Sequence, residues 1–299
     1  MSTFSRRQIL ASMTAASAAI ALPVPAFAGA PPSRDTSKDI SNQLRQLESQ
    51  YGGRLGVALM NCSTGAVASH RGDERFLFNS TGKLFIAAAV LAQVDRGDAA
   101  LDLRLVVSES DLGGWTPITE KHLGEPGMTV AELCQAVVAW SDNAAANVLV
   151  RFVGGPEAVT AFLRSIGDDV TRLDRYEPEL NEHDHEGDKR DTTTPLAMMK
   201  TLQRLLLGEA LSPSSRHQLA AWMIEGKTGD ARLRAGMPSS WLIGEKTGTN
   251  GVGNANDIGI AWPADRGAVV AVAYTFGPKA SKEQRDDVIA MIGAMASKV

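Results

Sequence analysis

The 299-residue chain is poor in cysteine and has no excess of basic residues. Its two cysteines, Cys62 and Cys134, are too few for a disulfide framework. One bridge would be possible in an exported protein, but Cys62 lies in a strand-like run and Cys134 in a helix-like run, so we expect two buried free thiols. Acidic residues outnumber basic ones by 34 to 30, which gives a net charge of −4. This balance argues against nucleic acid or an anionic membrane as the main partner.

The N-terminal apolar stretch, residues 11–22, is too short to cross a bilayer as a mature helix. It follows Arg6 and Arg7 and precedes Ala26-Phe27-Ala28, a small-x-small cleavage site. These features predict a signal peptide over residues 1–28 and a mature protein in the bacterial periplasm. The adjacent arginines resemble a twin-arginine export signal. A Sec-type signal with two incidental arginines is the alternative.

Strand patterns lie near both ends of the chain, and helix patterns occupy its middle. The strand-like runs cover residues 55–61, 66–71, 241–248, 256–262 and 269–276. Because helices do not alternate with these runs, an antiparallel sheet is favoured. We predict an α/β (α+β) fold: a five-stranded antiparallel sheet flanked by N- and C-terminal helices, an inserted all-α domain, and an active site in the cleft between them.

The predicted α/β domain comprises residues 29–72 and 225–299, and the all-α domain comprises residues 73–224. Residues 29–38 suggest a flexible start, and the polar segment 167–194 is long enough to be a functional loop. The helical patterns cover residues 40–51, 80–97, 129–140, 144–152, 156–166, 195–207, 213–225 and 281–298.

Ser80 and Lys83 stand at the start of a run rich in alanine and leucine. Their spacing places them on one helix face, with Asn79 or Ser80 as the N-cap. A lysine in an apolar helix is unfavourable unless it has a partner or a function. The pair therefore suggests a nucleophile beside a cation or an amine base. A capping serine and a lysine that reaches solvent are the structural alternative.

Three further stretches have chemistry that could complete this pair. Ser141-Asp142-Asn143 ends a predicted helix and offers a hydroxyl and an amide. Lys246-Thr247-Gly248 lies on a predicted strand, where Gly248 allows a ligand to approach the backbone closely. Glu177-Pro178-Glu179-Leu180-Asn181 lies in the long polar loop.

Ser-x-x-Lys, Ser-Asp-Asn and Lys-Thr-Gly occur here in the order typical of class A β-lactamases and penicillin-binding proteins, which the chain resembles. The resemblance covers nearly the whole mature chain. Further stretches that look like family segments are residues 119–122, 172–175, 191–195 and 256–257.

Glu177 distinguishes the two branches of this superfamily. Penicillin-binding enzymes keep their acyl group because nothing activates water for the second step. The Glu-x-x-Leu-Asn stretch resembles the class A loop that supplies this base, so the resemblance implies that Glu177 activates the deacylating water and that Asn181 helps to hold it. Arg175 and Asp191 resemble the ion pair that closes this loop, in which the Glu177–Pro178 bond can be cis.

The resemblance implies the other catalytic roles as well. Ser80 attacks the lactam carbonyl, and Lys83 takes or relays its proton; whether Lys83 or Glu177 is the acylation base stays open. Ser141 passes a proton to the departing nitrogen. The main-chain N–H groups of Ser80 and Thr249 form an oxyanion hole.

For substrate binding, the resemblance implies that Asn143 contacts the substrate's side-chain amide and that Lys246, Thr247 and Thr249 bind its carboxylate. Some relatives carry an arginine at the place of Ala255, and Arg232 looks like its replacement, which leaves Arg234 a structural role. Trp115 resembles the aromatic residue at the mouth of the cleft; an ordinary packed tryptophan is the alternative.

Some positions depart from the family pattern. Cys134 matches one half of a disulfide found in some relatives, but the partner position is Ala87, so no bridge is expected there. Asn79 and Asn250 occupy positions that are bridged by a disulfide in many class A carbapenemases, which makes strong carbapenemase activity doubtful. We expect these two asparagines to hydrogen-bond across the site. The charged stretch 182–186 resembles a metal cluster, but it lacks ligand spacing and suggests a solvated loop.

The sequence therefore predicts a monomeric class A serine β-lactamase that hydrolyses penicillins and some cephalosporins and confers antibiotic resistance. No cofactor, metal or nucleic acid is expected. A D,D-peptidase is the first alternative, and the Glu177 loop argues against it. A non-catalytic β-lactam sensor is the second, and the lack of a membrane anchor or a fused signalling segment argues against it.

Overall fold

The computed structural model describes residues 34–185 and 187–299. The predicted signal peptide, residues 1–28, lies outside the described residues, as does the beginning of the predicted flexible start. None of the helices in the described part of the chain is both long and apolar enough to cross a membrane.

The predicted helices and the five predicted strands are present in the predicted order, and the described residues add a short helix, Leu233–Gly236, and four two-residue strands that were not predicted. The helices are Arg34–Tyr51 (α1), Lys83–Arg96 (α2), Val130–Ala139 (α3), Asn143–Val153 (α4), Pro156–Ser165 (α5), Pro195–Leu206 (α6), Pro213–Ile224 (α7), Leu233–Gly236 (α8) and Lys282–Ala296 (α9). The strands are Arg54–Asn61 (β1), Val67–His70 (β2), Phe76–Leu77 (β3), Arg104–Leu105 (β4), Met128–Thr129 (β5), Thr192–Thr193 (β6), Leu242–Thr249 (β7), Asn254–Trp262 (β8) and Val269–Phe276 (β9).

The main sheet confirms the predicted five antiparallel strands. Its order is β2-β1-β9-β8-β7, so strands from the two ends of the chain meet in the centre. β1 pairs with β9 from Arg54↔Phe276 to Asn61↔Val269, and every neighbouring pair is antiparallel. β7 is an edge strand of this sheet, and it carries Lys246, Thr247 and Gly248.

Both faces of the sheet are covered by helices. In β9, Val270 and Val272 face one hydrophobic cluster, which contains α2, α4 and α6. Ala271 and Ala273 face a second cluster, which contains α1 and α9. Antiparallel strands with one solvated face usually alternate between apolar and polar residues, whereas the central strands β1 and β9 are almost continuously apolar because helices cover both of their faces.

The first helix begins earlier than the sequence predicted. α1 starts at Arg34, within the segment that was expected to be flexible, and it packs against β1 and β2. Glu48 on this helix accepts hydrogen bonds from the main-chain N–H of Leu55 (2.8 Å) and from Arg71 Nε (2.7 Å). His70 Nε2 lies 3.0 Å from the same carboxylate, so one side chain joins the helix to two strands.

Both cysteines are free thiols. Cys134 is buried in α3, as predicted, and burial raises the pKa of its thiol. Cys62 is only partly buried, because β1 ends at Asn61 and the chain turns there towards solvent. The expectation of two buried thiols is therefore wrong for Cys62.

Glu48 provides a test of how α1 is held. Burial raises the pKa of this carboxyl, but hydrogen bonds from Arg71 and Leu55 outweigh burial and hold the pKa at about 2, below its ordinary value of 4.5. The carboxylate therefore stabilises the fold above pH 4.5, and this contribution is lost as the pH falls towards 2. In urea unfolding near neutral pH, Glu48→Gln should lower the free energy of unfolding by about 1 kcal/mol.

The deficit of Glu48→Gln should shrink when the measurement is repeated at about pH 3. The exposed Glu120→Gln is the matched control and should unfold like the wild type at both pH values. An equal deficit of Glu48→Gln at both values would contradict the assigned role of the carboxylate.

Candidate active site

Ser80 lies in a single 3-10 turn, Asn79–Gly82, which leads directly into α2 at Lys83. The prediction that Asn79 or Ser80 caps the helix is wrong, since neither the turn nor α2 has a side-chain cap. The side chains of both residues point to other groups of the site, described below. The ten residues from Lys83 to Ala92 are all buried, which confirms the prediction of a buried helix.

Lys83 connects the groups around Ser80. Its ammonium nitrogen lies 3.1 Å from Ser80 Oγ and 3.0 Å from Glu177 Oε1. It also donates to the main-chain oxygen of Ser141 (2.7 Å) and to Asn143 Oδ1 (2.5 Å). Only 1% of the lysine is exposed, so these protein groups replace its water shell.

Ser141 lies between two lysines. Its hydroxyl accepts a hydrogen bond from Lys246 Nζ at 3.0 Å, and Lys83 Nζ lies 3.4 Å from the same oxygen. The backbone of Ser141 is left-handed (φ 61°), in the short link between α3 and α4. Asp142 holds this link, because its carboxylate caps α4 through Ala145 N and accepts from Thr119.

The two lysines share an environment that disfavours their charge. Burial lowers the pKa of Lys83, while the Glu177 carboxylate opposes this effect. Burial lowers the pKa of Lys246 strongly, and the charge of Lys83 lowers it further. Both amines are therefore poised to give up a proton more readily than an exposed lysine.

Glu177 enters the site from the long loop between α5 and α6. Its Oε1 lies 3.4 Å from Ser80 Oγ, and its Oε2 accepts a hydrogen bond from Asn181 Nδ2 at 2.5 Å. Asn147 on α4 fixes the backbone of Glu177 with two hydrogen bonds of 2.9 Å, one to its N–H and one to its carbonyl. The Glu177–Pro178 bond is cis, as predicted.

The neck of this loop is closed by the predicted ion pair. Arg175 Nε lies 2.6 Å from Asp191 Oδ2, and the Asp191 side chain is fully buried. Asp191 also accepts from the main-chain N–H of Asp174 at 2.8 Å. The short strand β6 then pairs with β3, which immediately precedes the Ser80 turn, so the loop end and the nucleophile are joined through backbone.

Gly248 allows β7 to lie against the Ser80 turn. A Cβ at this position would lie 2.8 Å from the Phe78 oxygen and 3.0 Å from the Ser80 nitrogen. No larger residue could occupy the position without moving one of the two segments. The Lys246, Thr247 and Thr249 residues of this strand are thereby brought next to Ser80 and Ser141.

Arg232 is buried behind β7, at the start of α8. Its guanidinium pairs with Asp286 (2.8 Å) and donates to Thr249 Oγ1 (2.8 Å). Arg232 therefore contacts the candidate carboxylate-binding strand β7 through the Thr249 hydroxyl. Arg234 instead pairs with Glu245 at 2.7 Å, which agrees with the structural role expected of it.

Trp115 lies at the edge of the site and is 58% exposed. Its indole N–H donates to the Trp140 carbonyl, and its own carbonyl accepts from the N–H of Asn143. The exposure excludes the alternative of an ordinary packed tryptophan.

The predicted hydrogen bond between Asn79 and Asn250 is wrong. Asn79 donates to the side-chain oxygen of Asn181 (3.0 Å), whereas Asn250 donates to the main-chain oxygen of Asn181 (2.8 Å). Both asparagines therefore contact the same loop residue and not each other.

The charged stretch after Asn181 is held by arginines. Arg190 contacts Asp184 and Asp188 at 2.6 and 2.7 Å, and Arg175 lies 3.3 Å from Asp184. Of these carboxylates, Asp184 belongs to the stretch 182–186 that resembled a metal cluster, and it is paired with two arginines.

Sequence reasoning gave no role to Asn147. Asn147 is a polar residue between alanine and valine in α4, one turn after Asn143, and this pattern was the signal in the sequence that could have identified it. Asp142 was noted only as part of a motif, although its capping of α4 positions Ser141.

The Arg175–Asp191 pair provides a test of the loop neck. Arg175→Gln should lower the free energy of unfolding by about 3 kcal/mol, because it leaves the buried Asp191 carboxylate without its cation. Arg172→Gln, in the same loop, is the control: Arg172 is 42% exposed and pairs with Asp174, so its loss should cost less than about 1 kcal/mol. Similar losses in urea unfolding of the two variants would contradict this assignment.

Comparison with known proteins agrees with the geometry. A family model described as the β-lactamase enzyme family matches residues 39–299. β-Lactamase L2 of Stenotrophomonas maltophilia is 46% identical over 299 residues, which cover 98% of each chain. β-Lactamase OXY-1 of Klebsiella oxytoca is 48% identical over 251 residues, which cover 84% of this chain and 86% of the relative.

Solved structures give the same result. An ancestral (GNCA) class A β-lactamase superimposes with a TM-score of 0.83 at 55% identity, over 86% of this chain and 98% of that chain. The putative class A β-lactamase PenP of Rhodopseudomonas palustris has the same TM-score at 48% identity, with the same coverage. With its family match, its close relatives and its shared fold, the chain belongs to the class A β-lactamases.

Proposed function

We propose that the protein hydrolyses β-lactam antibiotics, penicillins and cephalosporins, through an acyl-enzyme on Ser80 that is released by water activated by Glu177. The observation that carries this proposal is the placement of the Glu177 carboxylate 3.4 Å from Ser80 Oγ, with Lys83 in contact with both. A penicillin-binding enzyme needs the serine and the lysine, but it does not need a carboxylate at this place.

Acylation starts with attack of Ser80 Oγ on the lactam carbonyl carbon. The hydroxyl proton passes to the Lys83 amine, or to Glu177 through a water, since both groups lie within reach. The lactam C–N bond breaks, and the departing nitrogen takes a proton from Ser141, which is resupplied through Lys83 or Lys246. Burial lowers the pKa of both lysines, which supports this exchange.

The carbonyl oxygen becomes negative in the tetrahedral intermediate. The main-chain N–H groups of Ser80 and Thr249 stabilise this charge, since Gly248 brings their two segments into contact. Each such donor is worth about 10²–10³-fold in kcat in hydrolases.

The substrate carboxylate binds Lys246, Thr247 and Thr249, with Arg232 supporting the Thr249 hydroxyl from below. Asn143 hydrogen-bonds the side-chain amide of the substrate, and the exposed Trp115 ring covers the mouth of the site. Arg232 is buried and contacts the Thr249 hydroxyl, so we expect it to support carboxylate binding through Thr249 and not by direct contact.

In deacylation, a water molecule replaces Ser80 as the group that gives up a proton, and Ser80 receives one. A water held by Glu177 and Asn181 gives its proton to the Glu177 carboxylate and attacks the ester carbon. The ester C–O bond then breaks, Ser80 recovers its proton, and the ring-opened acid leaves. Because the hydrolysed antibiotic is inactive as an acylating agent, this cycle confers resistance.

We also propose that the chain is exported to the periplasm, by the twin-arginine route, and acts there as a monomer. The arginine pair at residues 6–7, the apolar stretch and the Ala26-Phe27-Ala28 cleavage site support export.

Turnover of a chromogenic cephalosporin by the purified wild type tests the function. We expect many equivalents of product per enzyme, and a loss of at least about 10⁴-fold in Ser80→Ala, which removes the nucleophile. Ser165→Ala, which removes an exposed hydroxyl far along the chain, is the control and should keep full activity. Colour release that stops at one equivalent in the wild type would contradict the hydrolase and would indicate a penicillin-binding protein or a sensor.

A further inference from the structure

A chain of three asparagine side chains runs from the central sheet to Glu177. Asn256 on β8 donates to Asn79 Oδ1 at 2.9 Å. Asn79 donates to Asn181 Oδ1 at 3.0 Å. Asn181 donates to Glu177 Oε2 at 2.5 Å. Each amide thus accepts at its oxygen and donates from its nitrogen, in one direction.

The direction of this chain is set by main-chain groups at its sheet end. The N–H of Thr275 on β9 donates to Asn256 Oδ1 at 3.1 Å, and a main-chain N–H can only be a donor. The nitrogen of the same amide faces the main-chain oxygen of Leu77 at 2.9 Å, which can only accept. The amide orientation of Asn256 is therefore fixed, and it presents a donor to Asn79.

Asn79 transmits this orientation. The side-chain oxygen of Asn79 accepts from Asn256, so its nitrogen faces Asn181. Asn181 therefore accepts this hydrogen bond with its side-chain oxygen. The nitrogen of Asn181 then points to Glu177 Oε2 and to the Pro178 carbonyl. Asn79 is fully buried, so no solvent molecule can take the place of its amide.

The backbone at Asn79 suits this residue. Its φ of 50° lies in the left-handed region, which asparagine, aspartate and glycine tolerate and which most other side chains avoid. The side chain that immediately precedes the nucleophile is thereby turned towards Asn181 of the loop.

We propose that Asn79 is a positioning residue for deacylation: its side-chain amide holds the Asn181 amide with the nitrogen towards Glu177, so that the carboxylate and the attacking water stay aligned. The inference rests on the proposed function. Asn79 acts through Asn181 on Glu177. Acylation of Ser80 can use Lys83 as its base and so depends less on the Asn79 side chain than release of the acyl group, which requires Glu177.

Asn79→Asp tests this role. It keeps the side-chain volume, the left-handed backbone and the acceptor for Asn256, but it replaces the donor to Asn181 by an oxygen. Asn250→Asp is the matched control, because it makes the same chemical change at a residue that contacts Asn181 at its main-chain oxygen and otherwise bonds Asn254 and Val252, outside the asparagine chain. Asn79→Gly is a second variant, which deletes the amide without straining the backbone.

The rates of the two steps should separate. In stopped-flow and intact-mass experiments with a chromogenic cephalosporin, we expect Asn79→Asp to acylate within about threefold of the wild type and to deacylate at least about tenfold more slowly, because one hydrogen-bond donor to the loop is lost and repulsion replaces it. Asn79→Gly should show a smaller deficit in the same step. Asn250→Asp should keep the wild-type ratio of the two rates.

A general loss of structure would lower both rates together, so the ratio of deacylation to acylation is the informative quantity. The proposal is overturned if Asn79→Asp slows both steps equally, if Asn79→Gly keeps the wild-type ratio, or if Asn250→Asp lowers the ratio as much as Asn79→Asp. These outcomes are all measured against a wild type that turns over. A wild type that does not turn over would instead overturn the proposed function.

Discussion

Two lysines are buried close together in one site, and the surrounding elements are arranged to accommodate their charge. Lys83 and Lys246 are each 1% exposed, and their shared neighbour is the Ser141 hydroxyl. A buried ammonium is unfavourable unless protein groups replace its water, and a second one nearby adds repulsion. The fold must therefore bring a carboxylate, main-chain oxygens and amides to this place, and Glu177 is the carboxylate.

The groups of the site come from distant parts of the chain. The link between α3 and α4 supplies Ser141, the long loop supplies Glu177, and the edge strand β7 supplies Lys246. The closing of the loop by Arg175 and Asp191, and the absence of a side chain at Gly248, let these segments meet. The same burial that makes the lysines unfavourable as cations lowers their pKa, which suits proton transfer at the serine.

The sheet could be predicted from the sequence because apolar strand runs are local patterns. The Ser80, Lys83, Ser141 and Lys246 groups could be predicted because their motifs resemble those of a known family. What failed depends on tertiary contacts. The sequence could not show that Asn79 turns its amide towards Asn181 instead of capping α2, because that choice is decided by a loop about a hundred residues away. It gave no role to Asn147, whose hydrogen bonds to Glu177 exist only once α4 and the loop pack together.

Intact-mass analysis of Glu177→Gln during reaction with a penicillin tests whether Glu177 releases the acyl group from Ser80. The substitution keeps the shape of the side chain but removes the base. We predict that the variant accumulates one covalently bound substrate on Ser80, while the wild type and the exposed loop control Glu179→Gln stay unmodified at steady state. A Glu177→Gln variant that turns over at the wild-type rate with no adduct would contradict the account.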